Sequence, residues 1–360
     1  MNASAERPVL IMAGGTGGHV FPGLAVATEL RARGVPVRWL GARGGMEATL
    51  VPNHQIEFEG IETQGLRGKG LGGWLRAPFR LLRAVRQARA VLRRLQPRCV
   101  VSFGGFAAGP GGLAAAMSRI PLIVHEQNAI AGLTNRVLAR FATRRFVGFA
   151  DALKKAVWTG NPVRANISEL ADPATRMANR DAGVRLLVLG GSQGARAINR
   201  VLPELVSALR QRGLRLQVRH QCGPKMYEET RIAYAQLGEP VQLEPFINDM
   251  ASAYGEADLV LCRAGALTLA ELCAAGVGSV LVPFPHAVDD HQTRNARALV
   301  DIGAALLVPE SSLEVAALAT QLAELCADRG QLLRMATQAR TLARADAAAV
   351  VAQACIEVAQ

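Results

Sequence analysis

Short apolar runs recur along the chain and alternate with longer stretches of helical period. In the first half they fall at 9–13, 37–40, 99–102 and 121–125, and in the second at 186–189, 214–218, 258–262, 279–283 and 304–308. Runs of four or five residues without strict alternation suit strands buried on both faces. The pattern therefore predicts βαβ units and parallel sheets covered by helices. The halves repeat one plan: Leu10-Ile11-Met12-Ala13 leads into Gly14-Gly15-Thr16-Gly17-Gly18, and Leu187-Val188-Leu189 into Gly190-Gly191-Ser192-Gln193-Gly194, each followed by a helix. The expectation is an α/β protein of two Rossmann-like domains facing across a cleft. The polar interval after Gly160 sets the boundaries at 1–163 and 164–339, and a last helix at about 340–360 packs back on the first domain.

Composition agrees. A length of 360 residues suits two domains, and 50% hydrophobic with only 4% aromatic residues suits an aliphatic core. The cysteines (Cys99, Cys222, Cys262, Cys273, Cys326, Cys355) lack C-x-x-C spacing and read as reduced thiols of a cytosolic protein. No secretory signal opens the chain. The uncharged stretch 99–118 is long enough to cross a bilayer, but five glycines and Pro110 make it a strand–loop–helix unit.

Charge placement changes the picture more. The net charge is +12, and eleven Lys and Arg but no acidic residue lie between Glu62 and Glu126. Such a surface seeks phosphate, on nucleic acid or on anionic lipid. Stacking aromatics are few and no helix-turn-helix or zinc-finger spacing occurs, so the expected partner is an anionic membrane surface and not nucleic acid. Trp74, Leu75, Phe79, Leu82, Val85 and Leu92 fall near helical spacing, flanked by Arg76, Arg80, Arg83, Arg86 and Arg89. From 85 to 95 this is an ordinary core-facing helix; the basic, apolar lead-in at 68–75 is suited to lipid headgroups.

The glycines at 14, 15, 17 and 18 allow close backbone approach to a ligand, and the helix that follows favours anions; a tight turn without a ligand is the plain alternative. Neither Gly-rich loop fits G-x-G-x-x-G, the second strand does not end in an acidic residue, and no P-loop occurs, so no dinucleotide or P-loop cofactor is expected. A third glycine cluster, 104–112, and His125-Glu126-Gln127-Asn128 follow strands whose C-terminal ends are where open α/β sheets bind ligands; a satisfied loop network is the plain alternative for the second. In the second half, Gly265 to Thr268 present backbone N–H groups at a helix start, with Glu271 one turn on. A carboxylate there suits the vicinal hydroxyls of a ribose; the bland alternative is a helix-dipole contact of about 0.3–1 kcal/mol.

The ordered set G-G-T-G-G-H-V-F-P-G (14–23), G-P-G-G-L-A (109–114), H-E-Q-N (125–128), A-G-L-T-N (131–135), G-N-P-V-R (160–164), G-G-S-Q-G-A (190–195), G-A-L-T (265–268) and H-Q-T-R-N-A (291–296) resembles the MurG family, the lipid II-forming N-acetylglucosaminyltransferases of peptidoglycan synthesis. The resemblance runs from about Leu10 to Ala305 and implies the two-Rossmann-domain GT-B fold. Phe106 stands where the family often has Tyr, which removes a hydroxyl, and Ala129 replaces a common Gly.

The resemblance implies inverting transfer of GlcNAc from UDP-GlcNAc to the C4 hydroxyl of the muramyl sugar of lipid I, at the cytoplasmic face of the bacterial inner membrane, with other cell-wall synthesis proteins as candidate partners. His19 is the first candidate base, since an imidazole titrates near neutrality, and Glu126 the second; a loop-stabilising hydrogen bond is the plain alternative for His19. Family matching sets Ile247 against uracil, Glu271 on ribose, and Ala266, Leu267, Thr268, Leu269, Ala270 and Gln292 around the donor sugar and diphosphate. Thr16, Gly17, Gly18 and Asn128 complete the site, while Ser192 and Arg164 compensate departing UDP. No D-x-D motif occurs, so neither an essential metal nor a cofactor is expected. Two rivals remain: a UDP-GlcNAc epimerase, which needs no lipid acceptor, and a non-catalytic nucleotide-sugar-binding module, which has no use for His19 or Glu126.

Overall fold

The computed structural model describes residues 7–63, 77–178, 180, 183–191, 194–287 and 290–358. Ser192, Trp74, Leu75, Arg76 and the rest of the 68–75 lead-in lie outside them. The chain forms two compact units, 1–164 with 344–360, and 165–343.

The first unit is built on β1 (Val9–Ala13), β2 (Val37–Ala42), β3 (Glu57–Ile61), β4 (Cys99–Gly104), β5 (Leu122–Glu126), β6 (Arg144–Val147) and β7 (Val157–Trp158). They form one parallel sheet in the order β3-β2-β1-β4-β5-β6-β7. Every residue of β1 is buried, and the Trp39 indole N–H reaches from β2 to donate to the Ala13 carbonyl (2.9 Å). The final helix, Ala347–Glu357, inserts Ala348, Val351, Ala352 and Cys355 into the cluster that holds Val9, Ile11 and the helix Gly17–Ala32. Burial of the Val351 side chain alone contributes about 1.5–3 kcal/mol to this attachment. The crossing helix starts later than 340, because residues through Ala343 stay with the second unit. Arg164 also changes sides. Placed by its sequence at the head of the second domain, it ends the first unit, with its guanidinium 5.7 Å from the centre of the Phe21 ring.

The second unit contains β8 (Val184–Leu189), β9 (Leu216–Gln221), β10 (Gln242–Glu244), β11 (Leu259–Cys262), β12 (Gly278–Leu281) and β13 (Ala305–Leu307), parallel in the order β10-β9-β8-β11-β12-β13. Each sheet therefore reverses its winding beside its first strand, at β1/β4 and at β8/β11. Loops leaving the C-terminal ends of such a strand pair diverge and leave a crevice for a ligand. The glycine loops at 14–18 and 104–107 meet at the first switch point, and Gly190-Gly191 and residues 263–265 leave β8 and β11 at the second. The uncharged stretch 99–118 resolves into β4 and the helix Ala108–Met117, and no helix among the described residues is long and apolar enough to cross a membrane.

Candidate active site

At the first switch point the loops after β1 and β4 pack backbone against backbone. Gly105 has φ +94°, and a Cβ there would lie 2.3 Å from the Gly14 carbonyl oxygen, so no larger residue fits. Thr16 caps the helix Gly17–Ala32 in extended conformation, and His19 lies in its first turn. His19 Nδ1 is 3.1 Å from the Gly14 carbonyl oxygen and 3.3 Å from Thr16 Oγ1. A carbonyl can only accept, so Nδ1 carries the hydrogen and the neutral ring's lone pair is on Nε2. That nitrogen faces Gly104, where an added Cβ would come within 3.3 Å of it. Phe106, 56% exposed, lies over Gly15. Beneath the loop is Glu47, only 1% exposed, whose carboxylate accepts the Gly15 and Ala42 N–H groups (3.1 and 2.9 Å).

The H-E-Q-N segment ends β5 as a buried network. Glu126 Oε1 accepts from the Asn128 backbone (2.9 Å) and side chain (3.2 Å), and Oε2 from Gly132 N (3.1 Å) and Asn135 Nδ2 (3.0 Å). Asn135 also donates to the His125 carbonyl and accepts from Ser102 on β4, which ties three elements together. His125 donates from Nε2 to the Gly160 carbonyl (2.9 Å), and its Nδ1 accepts from Gln127 (3.2 Å). Complete burial holds this imidazole neutral, with its pKa lowered to about 4 despite the opposing pull of the Gly160 carbonyl and Glu126. His19, Thr16, Gly17 and Gly18 thus gather at one loop junction, with Asn128 held at the neighbouring strand end.

In the second unit Gln221 fixes the loop after β8. Its Oε1 accepts from Gly191 N (2.9 Å), while its Nε2 donates to the Gly191 and Pro245 carbonyls (both 3.1 Å). Gly265 caps the helix Ala266–Ala275 in extended conformation and without a side-chain bond, and the Leu269 N–H closes the first turn on its carbonyl (3.0 Å). Leu267, Thr268 and Ala270 are half-buried; Ala266 and Leu269 turn their side chains into the protein. Glu271 is 7% exposed and accepts from the Tyr254 hydroxyl (3.1 Å). Ile247 is buried at 2% exposure. Gln292 Oε1 accepts from Phe284 N (2.9 Å) and braces the loop after β12, which Arg263 also grips through the Val282 and Pro283 carbonyls. Glu47, Gln221 and Arg263 are contributors that the motif reading passed over, and Asn135, the last residue of A-G-L-T-N, had no role assigned to it. The available signal for Glu47 was an isolated acidic residue among glycines at 41, 44 and 45.

Residues 9–147 match the glycosyltransferase family 28 N-terminal domain and residues 185–351 its C-terminal domain. The UDP-N-acetylglucosamine--N-acetylmuramyl-(pentapeptide) pyrophosphoryl-undecaprenol N-acetylglucosamine transferase of Xylella fastidiosa strain M12 is 57% identical, over 98% of this chain and 96% of that protein. The crystal structure of Acinetobacter baumannii MurG superposes with a TM-score of 0.83 at 41% identity, covering 98% of this chain and 99% of that one. A Neisseria meningitidis UDP-GlcNAc 2-epimerase shares the fold alone, with TM-score 0.66 at 14% identity over 97% of this chain and 100% of that one. The chain belongs to glycosyltransferase family 28 and, within it, to the MurG-type N-acetylglucosamine transferases.

Proposed function

We propose that this protein transfers N-acetylglucosamine from UDP-N-acetylglucosamine to the C4 hydroxyl of the muramyl sugar of lipid I, with inversion, giving lipid II. The observation that carries this reading is the near full-length, 57% identity to a transferase of that printed activity.

The chemistry needs a base for the acceptor hydroxyl and compensation for departing UDP. His19 takes the first role: the Gly14 carbonyl orients its ring, and Nε2 accepts the hydroxyl proton as the acceptor O4 bonds to C1 of N-acetylglucosamine and the bond from C1 to the β-phosphate oxygen breaks, releasing UDP. Glu126, with its four accepted hydrogen bonds, anchors the loop that carries Asn128 and leaves proton transfer to His19. Thr16, Gly17, Gly18 and Asn128 complete the acceptor side. On the donor side Glu271 receives the ribose hydroxyls, and Ala266, Leu267, Thr268 and Ala270 serve the donor sugar and diphosphate, with Ser192 assigned to the departing UDP. Leu269, buried and with its N–H donated to the Gly265 carbonyl (3.0 Å), holds the helix start in shape. Ile247 backs the uracil loop, Gln292 the sugar, and Arg164 offsets the charge of UDP.

The acceptor carries a polyprenyl chain, so the enzyme works at the inner-membrane surface on its cytoplasmic face. Exposed Phe79, Leu81 and Leu82 beside Arg80 and Arg86 support that attachment. The decisive assay is UDP release from UDP-GlcNAc with and without a lipid I analogue. Release should depend wholly on the acceptor; acceptor-independent release, or epimerised sugar, would reject the transferase reading.

A further inference from the structure

Glu47 belongs to no motif of the transfer reaction, yet its surroundings are built around it. Its carboxylate is only 1% exposed, and three glycines make room for it: an added Cβ would lie 2.1 Å from Oε1 at Gly14, 2.3 Å from Oε2 at Gly45 and 2.6 Å from Cγ at Gly41. Oε1 accepts from Ala42 N at the end of β2, and Oε2 from Gly15 N after β1. The second bond has a consequence for His19. The N–H of Gly15 and the C=O of Gly14 are the two ends of a single peptide group. Its N–H donates to Glu47 at 3.1 Å, and its carbonyl accepts from His19 Nδ1, also at 3.1 Å.

We propose that Glu47 is a positioning residue that acts on His19 through the Gly14–Gly15 peptide group. The chain is carboxylate, peptide N–H, peptide C=O, imidazole Nδ1–H. A peptide that donates to an anion has a more strongly polarised carbonyl, so the two hydrogen bonds reinforce one another. The carbonyl then fixes the ring's tautomer and orientation and makes Nε2 the better proton acceptor. A carboxylate bonded directly to an imidazole does this in other enzymes; here one planar peptide is interposed. The loop thereby gains a second function beyond close approach to a ligand. Gly14, Gly41 and Gly45 are needed because the anion must be buried against backbone that a Cβ would displace. The two amides meet the need of a buried carboxylate for hydrogen-bond donors.

This inference rests on the reading of His19 as the base, and a double-mutant cycle separates the two. Glu47→Gln keeps the shape, but its amide nitrogen cannot accept, so one of the two backbone N–H groups loses its partner. It should lower kcat about 10–100-fold, the usual cost of removing a group that orients another, with the KM for UDP-GlcNAc unchanged because the donor half lies in the other unit. In a His19→Ala background the same change should cost nothing further. Where Glu47→Gln fails to fold, Gly45→Ala is the substitute: its methyl displaces the carboxylate without altering it, and the same loss should again vanish without His19. A loss of equal size with and without His19 would mean that Glu47 only holds the loop and would overturn the inference, as would an unchanged kcat. If His19→Ala alone leaves kcat untouched, the base assignment falls, and the relay with it. In the wild-type protein, ¹⁵N spectra of His19 should show the Nδ1–H tautomer; the Nε2–H tautomer would break the chain at its last link.

Discussion

At the scale of single residues, the proposed donor site turns on Glu271. Its carboxylate sits in the second turn of the helix Ala266–Ala275, at 7% exposure, and already accepts one bond from Tyr254. A carboxylate so held loses little conformational freedom when it takes on a ribose, and a hydrogen bond to a charged group contributes roughly 1.5–3 kcal/mol. Glu271→Gln keeps an acceptor for Tyr254 but loses the charge. We expect the KM for UDP-GlcNAc to rise about tenfold, with near-normal melting and kcat. An unchanged KM in the folded variant would remove Glu271 from the ribose. The place of a polar cluster was legible where the chain spells it in a run, as in H-E-Q-N at the end of β5. Its chemistry was not legible where that depends on distant partners: nothing local to position 126 says that Gly132 and Asn135 complete its carboxylate.

Elements show the same division. Central strands read correctly because burial on both faces demands uninterrupted apolar runs. The strands that escaped are Glu57–Ile61, Arg144–Val147, Val157–Trp158 and Gln242–Glu244, all at or next to a sheet edge. An edge strand has a solvated side and tolerates Arg38–Glu57 or Arg219–Glu244 ion pairs, which erase the apolar signature. Each sheet also buries a histidine next to its glycine loops. His220 donates from Nε2 to Asn199 (3.1 Å) and accepts from the Tyr234 hydroxyl at Nδ1 (3.0 Å), and burial lowers its pKa to about 3. With His125 near 4, both sites take up a proton on unfolding below the ordinary value of about 6.5. Their stabilisation is therefore complete above that pH and is lost as the pH falls toward the folded values. At pH 5 the loss is on the order of 2 kcal/mol per unit, or about 4–8 °C in melting temperature. Calorimetry between pH 7 and 5 should show it, and His125→Gln and His220→Gln should each flatten the trend of one unit. A pH trend unaffected by either change would mean that other groups control it.

For the whole molecule, the question is how an enzyme without a spanning helix among its described residues meets a lipid-linked acceptor. We propose that charge supplies long-range attraction and that the helix Ala77–Leu95 supplies a point of contact. Its Ala84, Ala88 and Leu92 face the core at four-residue spacing, while Phe79, Leu81 and Leu82 are exposed at 76%, 47% and 49%. Arg83 is tied to Glu62 at 2.9 Å and is less suited to lipid; Arg80 and Arg86 flank the apolar residues on the exposed side. A basic residue near an anionic surface contributes about 1 kcal/mol, which salt screens beyond roughly 8 Å. Reversing two charges thus removes at least about 2 kcal/mol before any repulsion is counted. The expected outcome is binding to vesicles rich in phosphatidylglycerol that weakens with salt and falls at least about 30-fold in the Arg80→Glu, Arg86→Glu double variant. Phe79→Ser should weaken it further by removing apolar surface that enters the headgroups. Turnover of a short-chain, water-soluble acceptor should stay near normal in all of these variants, since none of these side chains belongs to the loops at the switch points. Sedimentation with vesicles, followed by assay of the same preparations, tests both halves of the claim. Binding that ignores salt and charge reversal alike would place the membrane contact elsewhere on the molecule.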